Sequence, residues 1–286
     1  MSHESKPTSS VSKSDSSNRG GLDGIIAGQT RLSTVGKSGF GLTYLGYAIE
    51  DLAEQGTFEE VAYLLLYGEL PNPDALLSFR ARLKNMRSLP APLTKVLEMI
   101  PANAHPMDVL RTAVSMLGTL EPEMHPDQAI GIAERLLASM PCALTYWYRY
   151  HREGTRIQDW SVGDSIASNF LGLLRGKSPN AFEERAMDIS LILYAEHEWN
   201  ASTFTARVIA STLSDFHSAI TGGIGALRGP LHGGANEAAM ELIDRMTDPD
   251  QAEKSLLDML SKKMKVDRKS TRLNSSHLVI SYAVFC

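Results

Sequence analysis

TFEEVAYLLLYGELP, residues 57–71, is the stretch from which the fold class is read. Thr57 and Glu60 have the spacing of a capping box ahead of an apolar run. The Thr57 hydroxyl accepts from the Glu60 amide while the Glu60 carboxylate reaches back to the Thr57 amide. Val61, Leu64 and Leu65 then lie on one helical face. Gly68 ahead of Pro71 is a stop, because glycine takes a left-handed cap readily and proline cannot continue a helix.

The same pattern extends outward. Pro106 opens a helix carrying Met107, Leu110, Val114 and Leu117 at intervals of three or four, with Gly118 as its expected end. Stripes follow at Ile130, Ala133, Leu136 and Leu137, expected to end at Pro141, and at Ile166, Phe170, Leu173 and Leu174, expected to end at Gly176. Asn180-Ala-Phe-Glu183 is a second capping box and opens a helix through Met187, Leu191 and Tyr194 that finishes near His197. Residues 202–215, 236–246 and 251–265 also read as helical. Period-two alternation is almost absent from residues 50–265, so the expected class is all-α, built as layers of packed helices.

Composition limits the functions. The chain has 286 residues, 28 Lys+Arg against 33 Asp+Glu, a net charge of −5 and 43% hydrophobic residues. That suits one large globular domain or two medium ones. The charge carries no basic stripe, and phosphate backbones need clustered Lys and Arg, so nucleic acid is not an expected partner. Two cysteines, Cys142 and Cys286, write no disulfide framework. No run approaches the roughly 18 apolar residues of a membrane span, and the Ser-rich residues 1–21 have no apolar signal core. They read as a disordered tail, and the protein as cytoplasmic with no membrane partner. Residues 267–286 depart from the helical pattern: a basic, Ser-rich piece leads into the β-prone run Leu278–Phe285, resembling a translated sequencing adapter.

Chemistry concentrates in residues 194–237. His197 lies at a helix end between Glu196 and Glu198, with Asn200 following. A helix C-terminus favours imidazolium, and a protonated His beside an amide suits a substrate carboxylate; a plain helix-capping histidine is the alternative use. His232 lies in Gly229-Pro-Leu-His-Gly-Gly234, where small residues let a ligand approach the backbone. A neutral His ahead of a helix N-terminus can donate to the oxygen of a forming enolate; an ordinary loop histidine is the alternative. Gly223-Ile-Gly225-Ala-Leu-Arg228-Gly229 lacks the third glycine and the preceding strand of a dinucleotide fingerprint. Residue 201 is Ala where a zincin motif starting at His197 would need His, so no metal site is expected. The Tyr146, Trp147, Tyr148 and Tyr150 cluster suits a core or interface helix better than a ligand platform.

These residues carry a resemblance. HEWNAST at 197–203 and GALRGPLHGGANE at 225–237 are similar to the citrate synthase family, as are VGKSG at 35–39, YLGYAIED at 44–51 and HPMD at 105–108. The resemblance covers residues 22–266. Within the family, residues 194–197 and 147–157 look most like the branch that takes propionyl-CoA, with acetyl-CoA as the alternative acyl donor. The resemblance implies an all-α homodimer, a large helical domain over 22–232 and the start of a small domain over 233–266. It implies condensation of an acyl-CoA thioester with oxaloacetate, without metal or other cofactor, CoA entering as a substrate. It makes His232 the catalytic residue that stabilises the enol, His197 and Asn200 the oxaloacetate side, and Tyr194 a lining of the acyl pocket. Leu45 stands where the family has an Arg. The family's second catalytic His, its Asp base and its oxaloacetate-binding Arg residues come after a position matching Lys265. Asp267 and His277 are not given those roles, and the 286 residues alone are expected to be inactive. A non-catalytic helical dimerisation module is the expectation from a different functional class.

Overall fold

The computed structural model describes residues 28–35, 41–229 and 232–233. A small antiparallel hairpin sheet comes first: β1 (Ser33–Thr34), β2 (Thr43–Tyr44) and β3 (Tyr47–Ala48). Ser33 pairs with Tyr44 and Thr34 with Thr43; Thr43 then pairs with Ala48 and Tyr44 with Tyr47. The two-residue turn Leu45-Gly46 has positive φ at both positions, +49° and +92°. That is the turn whose twist matches a tight hairpin. Leu45, where an Arg was the family expectation, packs against the core beneath the sheet.

Ten helices follow among the described residues: α1 (Ile49–Gln55), α2 (Phe58–Tyr67), α3 (Pro73–Asn85), α4 (Ala91–Met99), α5 (Pro106–Leu120), α6 (Ala129–Glu153), α7 (Ile166–Arg175), α8 (Ala181–Tyr194), α9 (Ala201–Ser211) and α10 (Phe216–Leu227). A 3₁₀ turn at Pro126–Gln128 leads into α6. The all-α expectation holds. Both capping boxes form as written: Thr57 accepts from the Glu60 amide, and Asn180 from the Glu183 amide. Gly68 and Gly176 end their helices at φ of +89° and +68°.

Three expected boundaries are corrected. Gly118 does not close α5, which runs on to Leu120. A Cβ there would lie 2.6 Å from the Cβ of His217, so the glycine serves the close approach of α10 rather than a stop. Pro141 does not end a helix either; it lies inside the 25-residue α6. A mid-helix proline costs about 3 kcal/mol, and here burial on both sides of it outweighs that cost. Ala133, Leu136 and Ala138 precede it and Cys142, Ala143, Tyr146 and Trp147 follow, all buried. Third, the segment expected to be helical over 202–215 is α9 ending at Ser211, and Asp215 instead caps α10 by accepting from the Ser218 amide.

α6, about 37 Å long at 1.5 Å per residue, joins two apolar cores. One gathers α4, α5 and the second half of α6 around Leu93, Leu97, Val109, Val114, Leu117 and Trp147. The other gathers the hairpin, α1, α2, α3 and α8 around Tyr44, Val61, Leu64, Phe79, Leu83 and Ile192, with Ala138 of α6. α9 and α10 form an antiparallel pair, and α10 lies against α5. No helix among the described residues is long and apolar enough to cross a membrane. The 1–21 tail, the small domain start after Gly233, the helices expected over 236–246 and 251–265, and the 267–286 tail lie outside the described residues.

Candidate active site

The site begins where α8 stops. Tyr44, fully buried in β2, brings its hydroxyl to 3.0, 3.3 and 3.2 Å from the carbonyl oxygens of Ile192, Leu193 and Glu196. It also accepts from the Glu196 amide at 3.2 Å. One side chain thus serves the last carbonyls that α8 leaves unpaired. Burial pushes the Tyr44 hydroxyl up to about 12, so it stays a donor.

The chain then turns sharply through Glu196, His197 and Glu198, with Glu198 at φ +52°. Ser33 of β1 accepts from the Glu198 amide at 2.9 Å and donates to Glu196 Oε1 at 3.1 Å. The Val35 amide donates to Glu198 Oε1 at 3.1 Å. Burial raises the Glu196 carboxyl above the ordinary carboxylate range, and hydrogen bonds from Ser33 and the Glu198 and His197 backbone counter part of that rise. Trp199 follows with the Arg207 guanidinium 4.2 Å from its ring centre. A Cβ at Gly28 would fall 2.3 Å from the same ring, so only glycine lets the backbone approach it there.

Asn200 is the N-cap of α9. Its Oδ1 accepts from the Thr203 amide at 2.8 Å and from Ser202 Oγ at 2.7 Å. Ser202 Oγ in turn lies 3.0 Å from His232 Nε2. A continuous chain Asn200–Ser202–His232 therefore spans from the start of α9 to the loop after α10. With the seryl proton on Asn200, His232 Nε2 is the donor of their bond. Turning that hydroxyl toward His232 makes Nε2 the acceptor and puts the ring proton on Nδ1. The seryl rotor thus selects which imidazole nitrogen is the N–H.

Three features bring His232 to that serine. Gly222 and Gly223 lie where α10 meets α9: a Cβ on Gly222 would be 2.1 Å from Ile209 Cδ1, and one on Gly223 would be 3.4 Å from the Ser202 carbonyl. After α10 the backbone folds back, the Gly233 amide donating to Leu227 O and the His232 amide to Gly229 O, each at 2.9 Å. A Cβ on Gly233 would be 2.3 Å from Leu227 O. Asp108, in the first turn of α5, lies 3.4 Å from Arg228 Nε and 3.0 Å from Arg111 Nη1, tying the HPMD motif to the residues just before this loop.

Of the residues singled out from sequence, His232 and Asn200 are joined through Ser202. His197 stands three residues before Asn200 on the same loop, half-buried. Tyr194, the last residue of α8, is 56% exposed. Asn200 Oδ1 is committed to capping α9, a role its position three residues before Thr203 already signals. Ser202 and Ser33 escaped sequence reading. Ser202 sits within the HEWNAST motif, but its use depends on α10 packing back against α9. Ser33 acts across more than 160 residues of chain.

Chemically, a histidine with a selectable N–H, bonded to a serine–amide relay, can donate to a carbonyl oxygen. The chain matches the family model described as "Citrate synthase, C-terminal domain" over residues 21–268. It is 59% identical over 246 residues to a 2-methylcitrate synthase of Shewanella oneidensis, covering 86% of this chain and 66% of that one. It is 40% identical to a citrate synthase of Deinococcus radiodurans, with the same coverages of 86% and 66%. It thus spans about two thirds of the length of these curated relatives. Among solved structures, the citrate synthase of Thermoplasma acidophilum, in ternary complex with carboxymethyl coenzyme A and oxaloacetate, matches with a TM-score of 0.77 and 31% identity over 85% of this chain and 64% of that one. The chain belongs to the citrate synthase family.

Proposed function

We propose that the protein is a 2-methylcitrate synthase, condensing propionyl-CoA with oxaloacetate and water to give 2-methylcitrate and CoA. The observation that carries this reading is the Asn200–Ser202–His232 chain, which brings the loops of the two histidine motifs together. The higher identity to the 2-methylcitrate synthase than to the citrate synthase supports propionyl over acetyl.

In this reading the α-carbon of the thioester gives its proton to the Asp base that the family resemblance places after the position matching Lys265, and His232 donates to the thioester oxygen as it becomes an enol. The carbon then attacks the ketone carbon of oxaloacetate. His197 holds oxaloacetate with its ring, and Asn200 keeps the loop in register by capping α9. Water cleaves the resulting thioester and CoA leaves as the thiol. Tyr194 borders the acyl group. No metal or redox group enters the scheme, and CoA is a substrate. Oxaloacetate and the acyl-CoA are the small-molecule partners, in a cytoplasmic setting.

The test is thiol release by the protein expressed from its native reading frame at full length, with oxaloacetate and either acyl-CoA. Faster release from propionyl-CoA is expected. Faster release from acetyl-CoA makes the protein a citrate synthase, and release from neither overturns the enzyme reading. One methylene in an apolar pocket is worth about 1–3 kcal/mol, so the expected preference is about 10- to 200-fold.

A homodimer is part of the proposal. α9 has no buried residue, and Leu213 beyond its end is 95% exposed. Between α5 and α10 runs a groove of about 580 Å³ lined by Ser115, Thr119, Glu123, His217 and Thr221. Neither ring nitrogen of His217, buried in that groove, has a hydrogen-bond partner among the described residues, nor does Thr221 Oγ1. A second copy seated on α5, α9 and α10 accounts for the open groove and for the exposure of Leu213.

A further inference from the structure

The turn that carries His197 is held by more than its own sequence, although the Glu198 and His197 backbone also bonds to the Glu196 carboxylate. Glu198 sits in the left-handed region at φ +52°, which a residue with a Cβ adopts at a cost of roughly 1–3 kcal/mol and only where its surroundings impose it. Those surroundings come from the other end of the chain. Ser33, 2% exposed, uses its hydroxyl both ways: it accepts from the Glu198 amide at 2.9 Å and donates to Glu196 Oε1 at 3.1 Å. The residue between those two contacts is His197. Two residues beyond Ser33, the Val35 amide closes the arrangement on Glu198 Oε1 at 3.1 Å. β1 is itself fixed by pairing with β2, whose Tyr44 grips the end of α8, so Ser33 has little freedom to follow the loop if the loop moves.

We propose that Ser33 is a positioning residue of the candidate site: its buried hydroxyl ties the Glu196 carboxylate to the Glu198 amide and thereby fixes the direction of the intervening His197 ring. The inference deepens the citrate-synthase-type reading, on which the meaning of His197 as a substrate-holding residue rests. The hairpin then has a task in the site beyond covering the core. A seryl hydroxyl suits that task because one proton and its lone pairs serve a carboxylate and an amide at once. Alanine offers neither, and the Glu198 amide and Glu196 carboxylate would each lose a partner in a half-buried place.

The experiment reads the ring directly and needs no substrate, so it fails or succeeds independently of the activity assay. The full chain is labelled at histidine with ¹³C and ¹⁵N, and the His197 signals are identified by their loss in His197→Gln. In Ser33→Ala, the His197 ring signals, including the ¹⁵N shifts that report its tautomer, are expected to move while those of His105 and His151 stay in place. Ser33→Thr, which retains the hydroxyl, is expected to return them toward the native positions. Thr34→Ala removes a neighbouring exposed hydroxyl and is expected to leave His197 unmoved. Native His197 signals in a folded Ser33→Ala protein would overturn the proposal. If Ser33→Ala loses its fold, the near-isosteric Ser33→Cys gives the same reading with weakened hydrogen bonds: displaced His197 signals support the proposal and unmoved ones overturn it.

Discussion

At the scale of single residues, the division of labour between His232 and Ser202 yields a graded expectation for the full-length enzyme. His232→Gln removes the group proposed to donate to the developing oxyanion, and loss of one such donor lowers kcat about 10²- to 10³-fold. Ser202→Ala leaves the imidazole in place but frees its rotor and its tautomer, so a smaller fall, up to about 10²-fold, is expected in kcat with little change in KM. Steady-state kinetics on both variants checks the order. A Ser202→Ala enzyme with native kcat would show that the relay to Asn200 does not orient His232. The two histidines were legible in sequence because each stands in a short motif rich in glycine or polar caps. Ser202 was not, because nothing local distinguishes it from the hydroxyl residues around it. Its partner arrives only when α10 packs back on α9.

At the scale of elements, what could be read locally was read correctly, and what depended on a neighbour was not. The boxes at Thr57 and Asn180 are closed by side chains three residues from their partners, so local sequence determines them. Gly118 and Pro141 carried equally strong local signals, and packing overrode both. Gly118→Ala should therefore destabilise the fold by about 1–3 kcal/mol in urea unfolding, because the added methyl meets the Cβ and Cγ of a buried ring at 2.6 and 2.8 Å. Gly222→Ala should come out near neutral. Its methyl meets chiefly the flexible tip of Ile209, and alanine gains about 1 kcal/mol of helix propensity over glycine.

Elements are also joined by side chains that cap helices other than their own. Asp188 of α8 accepts from the Phe58 amide at the start of α2 at 3.0 Å, and Glu59 of α2 accepts from the Ile166 amide at the start of α7 at 2.7 Å. Arg185 of α8 donates to the Gly56 and Glu54 carbonyls just past and within the end of α1. Burial raises the Glu59 and Asp188 carboxyls, only partly offset by the capped amides and by Arg80 and Arg185. A carboxyl whose folded pKa lies above its unfolded value binds more protons in the folded state between the two. Its contribution is full below the unfolded value, near 4.5 for Glu59, and is lost as pH rises through the folded one. Glu59→Gln removes that dependence. The Tm of the native protein minus that of Glu59→Gln should fall as pH is raised from 4.5 through the elevated Glu59 value, and a flat difference would refute the assignment.

At the scale of the whole molecule, α6 couples the two cores while α9 and α10 add a layer packed, among the described residues, against α5. The face toward α5 is packed, yet no residue of α9 is fully buried among the described residues, and the adjoining groove holds buried polar atoms without partners among them. The occupant proposed for this layer is a second copy meeting the same helices by two-fold symmetry. Such an interface is self-complementary, so one substitution strikes it twice. Thr221→Arg places a long cation in the groove from both sides, and sedimentation equilibrium should then show monomer where the native protein is dimer. Tyr47→Ser, a comparably exposed change on the hairpin away from α5, α9 and α10, should leave the dimer intact. A native protein that sediments as monomer would remove the second copy from the account. The His217 ring would then owe its burial to α5 and α10 alone, and His217→Phe, which fills the same space without polar atoms, should raise the Tm of that monomer.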